Sequence, residues 1–177
     1  MSISSLKGIH DLLRARGVEP IDFSIPSSTD SSVDSSVYNN LNSAGFCTSH
    51  NNLYYTSGQI PFDDKNRVVT GKVGADLSLE MAKEAVDAVY TQYLRGLEFF
   101  YYKKLGLIEQ IIMVRIFINA ASDFTQFEEL LDYKLLGELN NISLQGDSYA
   151  LSIVGCSALP LNAAIELTSI MRLGGSI

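Results

Sequence analysis

The stretch DSYALSIVGCSALPLNAAIELTSI, from Asp147 to Ile170, decides the fold. Its two apolar runs are of strand length and are joined through Leu159-Pro160, so they read as two strands of a sheet. The second run carries one carboxylate, Glu166, between Ile165 and Leu167. A charge on such a strand is costly to bury unless it is paired, hydrogen-bonded or facing a wet cleft. Which of these applies, and what supplies the partner, is the question the chain poses.

Working outward, Ile111 to Ile118 reads IIMVRIFI and predicts a central strand. Side chains alternate along a strand, which places Arg115 on one face with Ile111, Met113 and Phe117. Before it, Ala82, Ala85, Val86, Val89, Tyr93, Leu97 and Phe100 recur at three- and four-residue spacing and predict a long amphipathic helix. Its N-cap is Ser78 and it runs to about Lys104. A second amphipathic helix follows Asp123-Phe124, with Phe127, Leu130, Leu131 and Leu135 inward.

Gly45 to Ser57 predicts a hairpin turning at Asn51-Asn52, residues that tolerate positive φ, and Arg67 to Thr70 can add a short strand. Ser4 to Arg16 predicts a short helix with Leu6, Ile9, Leu12 and Leu13 on one face. Ser24 to Ser43 is rich in Ser, Asp and Asn and reads as a long loop or partly disordered linker. The expected organisation is therefore a helix plus Ser-rich loop over 1–43 and a core domain over 44–177. The order ββ(β)αβαββ predicts an α+β fold, a mixed sheet with two helices packed on one face. Arg115 and Glu166 then put charge on the other face, against water, a ligand or another subunit.

Composition narrows the function classes. The chain is 46% hydrophobic and 19% charged, ordinary for a soluble globular protein, and no apolar run approaches a membrane span. The N-terminal residues lack the apolar core of a secretory signal, and Cys47 and Cys156 are not in a CxxC, so a cytoplasmic setting is expected. A net charge of −7 repels phosphate backbones and argues against nucleic acid as a partner. His10 and His50 do not cluster with cysteines, so no metal is expected. Gly71 and Gly74 in TGKVGAD lack the GK[ST] ending of a phosphate loop, and no cofactor is expected.

SGQIP at Ser57 to Pro61, TGKVGAD at Thr70 to Asp76, Asp123-Phe124, and ALPLNAAIE at Ala158 to Glu166 together resemble the RidA/YjgF family, also called L-PSP endoribonuclease-like. The likeness covers about residues 44 to 173, and the helix followed by Arg16-Gly17-Val18 resembles the longer-chain branch. It implies a chorismate-mutase-like fold, a homotrimer with sheets facing inward, and small-molecule clefts between neighbouring subunits. It also implies hydrolysis of reactive enamines and imines. Glu166, six residues after Pro160, matches the family's glutamate, which can hold or activate a water.

The family's substrate-binding arginine, nine residues before that proline, is matched by Leu151, and the next pocket position is Ile153. The family's tyrosine falls on Ala44, with Phe46 nearby, and an asparagine of the second helix has no clear counterpart. The expectation is a trimeric protein binding a small metabolite, with deaminase activity weak or lost. The alternative is an active imine or enamine deaminase, a hydrolase using Glu166; ribonuclease action is the third reading. Ser57 and Gln59 are candidate ligand contacts at the cleft edge, with close packing around Gly58 as the other explanation of SGQ. Arg115 is a candidate anion binder or interface ion-pair partner of Glu166 or Asp76. An inward trimer face is expected to hold Met113, Phe117, Leu151 and Ile153.

Overall fold

A computed structural model of the chain describes residues 4–20, 47–102, 108–131, 137–139, 142 and 149–174. Helix α1 is Ser4–Ala15; strands β1 and β2 are Cys47–His50 and Leu53–Thr56; helix α2 is Leu79–Tyr102. Strands β3, β4 and β5 are Ile108–Asn119, Ala150–Cys156 and Ile165–Leu173. The five strands form one mixed sheet in the order β1-β2-β5-β3-β4, antiparallel throughout except where β4 runs parallel to β3. The α+β architecture expected from the element order is the one observed.

Local chemistry explains the boundaries. Asn51 and Asn52 turn the hairpin with φ of 49° and 62°, the two positive values that a primed two-residue turn requires. Ser78 caps α2, its Oγ accepting from the Met81 N–H at 3.3 Å and its carbonyl from Ala82 at 2.9 Å. Gly74, with φ of 88°, lies so close to Phe124 that a Cβ would stand 2.8 Å from the ring. The TGKVGAD turn is thereby fastened to the Asp123-Phe124 segment.

The core lies between α2 and one face of the sheet. Ala82, Ala85, Val86, Val89, Tyr93 and Leu97 of α2 are buried with Val114, Ile116 and Ile118 of β3 and Ile165, Leu167 and Met171 of β5. Tyr90 is buried too, because α1 covers a second flank of α2. Ile9 and Leu13 are fully buried there, and the Arg16 guanidinium stacks 4.7 Å from the centre of the Tyr90 ring. Arg16 also reaches Glu138 at 2.7 Å and Asp87 at 3.3 Å. Glu98, fully buried, has His10 at 3.1 Å and Arg95 at 3.4 Å. Its charge is thus compensated, as a buried carboxylate requires.

Several expectations are adjusted. Arg67 to Thr70 is not a strand but two isolated bridges, Phe62 to Val68 and Thr70 to Ala163. The segment after Phe124 begins as a 3-10 turn, Glu128–Leu130, and 137–139 is helical, while Leu135 lies outside the described residues. So do the Ser-rich segment, Ala44 and Phe46, and the side chain of Phe100. Ile111 does not share the face of Arg115. The β3–β5 register shifts between Ile111 and Met113, and the extra residue turns Ile111 into the core opposite Met171.

Candidate functional site

The sheet face away from α2 is read from cross-strand rows. Glu166 pairs with Phe117, and Phe117 with Val154; Thr168 pairs with Arg115, and Arg115 with Ser152. Ile170 pairs with Met113 and also with Tyr55. Register partners share a face, so these residues make one surface. Tyr55 and Val154 are 38% and 40% exposed, which is much for side chains of their apolar area.

Glu166 sits near the start of β5, half-buried. The SGQ turn runs alongside it: the Gln59 N–H donates to the Leu167 carbonyl at 2.8 Å and the Leu167 N–H to the Gln59 carbonyl at 2.9 Å. These bonds bring Gly58 against Glu166, where an added Cβ would stand 2.1 Å from Oε1. Only glycine leaves room for the carboxylate at this distance. Partial burial pushes the Glu166 carboxyl above its ordinary value. The direction follows from lost hydration, with no ion pair among the described residues to offset it.

Ser57 and Gln59 turn toward each other. Gln59 is 4% exposed, and its Nε2 donates to the Ser57 carbonyl at 3.1 Å and to Ser57 Oγ at 3.2 Å. Arg115 is exposed on the same face as Glu166, one row along and one strand over. Among the described residues it forms no ion pair, with Glu166, Asp76 or any other carboxylate. Asp76 is engaged elsewhere, accepting from the Lys72 N–H at 2.8 Å. Glu166 leans across β5 toward Gly58, away from β3, which is why the two charges on this face diverge.

Leu151 and Ile153 are not on the face expected for them. The parallel register sets Leu151 beside Val114 and Ile153 beside Ile116, so both lie on the helix side of β4. Ile153 packs against the core, and Leu151, near the start of this edge strand, is 38% exposed. Within one chain the structure therefore brings Glu166, Gly58, Ser57 and Gln59 together and leaves Leu151 and Ile153 on the other side. The face instead holds Ser152, Val154 and Thr168. Alternation from Glu166 points to Thr168; the other two depend on a strand register that no local signal carries.

Burial pushes the Cys47 thiol up to about 11, which removes it as a nucleophile near neutral pH. Among the described residues no cluster of His, Cys, Asp and Glu is arranged to hold a metal ion. A groove of about 400 Å³ lies between the start of α2 and the Asp123-Phe124 segment, lined by Gly74, Leu77, Ser78, Phe124 and Gln126, not beside Glu166. No described helix is long and apolar enough to cross a membrane.

The family model for endoribonuclease L-PSP matches residues 40–172. Protein TCP17 of Trypanosoma cruzi is 24% identical over 119 residues, covering 67% of this chain and 74% of that protein. The solved structure of a protein of unknown function from Agrobacterium tumefaciens is similar at a TM-score of 0.69 and 22% identity, covering 96% of both chains. A Shewanella oneidensis protein provisionally named an endoribonuclease is similar at 0.66 and 18% identity, covering 93% of this chain and 99% of that one. At such identities the two structures establish a shared fold. The family match spans well over half of the 177 residues and takes in the SGQ turn, β3, β4 and Glu166, and the chain belongs to the endoribonuclease L-PSP family.

Proposed function

We propose that this protein is a homotrimer that binds a small molecule beside Glu166 at the boundary between subunits, with imine and enamine deaminase activity weak or lost. The observation that carries the reading is the Glu166 carboxylate, half-buried over Gly58 and without an ion-pair partner among the described residues. Such a group favours a ligand that brings N–H or O–H donors and disfavours an anionic imino acid. The position where the family resemblance expects a carboxylate-binding arginine is Leu151, an aliphatic side chain without charge or donor. The site that suits amino-acid-derived imines is thus missing its anion-binding half.

One feature supports the deaminase reading instead. A carboxyl whose affinity for protons is raised is a better general base once ionised. A rate measurement separates the two. Wild type, Glu166→Ala and Leu151→Arg are each given 2-aminoacrylate generated in situ, and loss of the imine is followed. The expected result is a slow wild type and little further loss in Glu166→Ala; because Leu151 lies on the helix side of β4, Leu151→Arg gains a charge-assisted two-pronged contact, worth roughly ten- to a hundredfold in affinity, only if that edge of β4 lines a neighbouring subunit's cleft. A fast wild type that Glu166→Ala abolishes makes the protein a deaminase. Ribonuclease action is disfavoured by the net charge of −7, which repels an RNA backbone.

A further inference from the structure

Within one chain Arg115 makes no ion pair with Glu166. It stands exposed in the middle of β3, flanked in register by Thr168 of β5 and Ser152 of β4. Along β3 its neighbours on the same face are Met113 and Phe117, so a polar row crosses an otherwise largely apolar surface. Arg172, also on β5, is held by Glu109 at 3.1 Å. Among the described residues neither Arg115 nor the Thr168 and Ser152 hydroxyls have a hydrogen-bond or ion-pair partner. The nearest carboxylate on the face, Glu166, is drawn away over Gly58.

We propose that the Thr168–Arg115–Ser152 row is a binding site for a tetrahedral oxyanion, a phosphate or sulfate group. A guanidinium fork presents two parallel N–H donors to such an anion, and hydroxyls on the strands to either side add two more from different directions. A carboxylate has two oxygens and uses fewer of these donors than a group with three or four. The inference rests on the homotrimer proposed above, because assembly turns a solvated arginine into a demand. If three copies turn this face inward, three guanidinium groups approach one another with their water removed. Like charges so placed are unfavourable unless an anion lies between them.

The test begins with light scattering, which decides the assembly by itself. A monomer at micromolar concentration removes the homotrimer and this site with it. For a trimer, inorganic phosphate and glycerol phosphate are each titrated and binding is read by calorimetry and by the shift in melting temperature. The expected result is saturable binding that weakens roughly ten- to a hundredfold in Arg115→Gln and about three- to tenfold in Ser152→Ala or Thr168→Val. Arg115 is exposed, so these replacements leave the core intact, and circular dichroism checks that they do. Tighter binding of the ester assigns the site to a phosphorylated metabolite, and tighter binding of the free ion assigns it to phosphate; either supports the proposal. A trimer that binds neither, or that binds them equally well in Arg115→Gln, overturns the site and leaves the homotrimer standing.

Discussion

At the scale of single residues, the carboxylate of Glu166 and the absent side chain of Gly58 form one feature, and their energetics are linked. Lost hydration raises the Glu166 carboxyl above its ordinary value of 4.5 in the folded chain. The folded state therefore binds more protons than the unfolded chain between the two values, and stability falls as pH rises through that window. Above it the charged carboxylate costs stability; below the unfolded value the cost is gone. Glu166→Gln is expected to be more stable than wild type at neutral pH, with the difference vanishing under acid, as urea midpoints at several pH values would show. A wild type that gains on the variant as pH rises contradicts the unpaired carboxylate. Gly58→Ala places a methyl 2.1 Å from Oε1 and forces the side chain aside, a cost on the order of 1–3 kcal/mol. In Gly58→Ala/Glu166→Ala that cost is mostly relieved, and a double-mutant cycle measures the coupling. Additive losses would mean that the glycine serves the backbone alone.

At the scale of elements, what the sequence made legible was local and what it hid was not. The Asn51-Asn52 hairpin, the Ser78 cap and the apolar stripe of α2 each rest on chemistry within a few residues, and each is where the pattern put it. The bulge between Ile111 and Met113 and the parallel register of β4 on β3 are set by partners distant in sequence. A one-residue difference in pairing moves every side chain of a strand to the opposite face, and the family likeness that put Leu151 and Ile153 in the pocket carries no such register. Glu166 was legible because a charge in an apolar strand stands out; Ser152 and Thr168 were not, because short polar residues are common on any strand. The docking of α1 gives a prediction of its own. Leu13 is fully buried, and Leu13→Ala should cost on the order of 2–5 kcal/mol. Because α1 packs mainly on α2, hydrogen exchange in α1 should quicken while β3 and β5 keep their protection. Equal loss of protection in helix and sheet would show that α1 belongs to the same cooperative unit.

At the scale of the whole molecule, the proposed homotrimer rests on the sheet face opposite α2. Tyr55, Met113, Phe117, Val154 and Ile170 lie partly open across four adjacent strands, and a contiguous apolar surface of that breadth is unusual on a monomer. A specific interface covers about 800 Å² per partner. Against assembly, each copy brings a net charge of −7, and closing three together sums that repulsion. Salt screens charges beyond about 8 Å at 0.15 M, so the trimer should tighten as salt is raised from very low values. Val154 offers the sharpest variant, because it is 40% exposed in the single chain. In a monomer Val154→Asp is a surface change, expected to move stability within about 0.5 kcal/mol. In a trimer it buries three unpaired carboxylates, at several kcal/mol each. Light scattering at micromolar concentration should therefore report a trimer for wild type and a folded smaller species for Val154→Asp, with circular dichroism unchanged. If wild type is monomeric, or if Val154→Asp remains trimeric, this face is not the surface by which the chains meet.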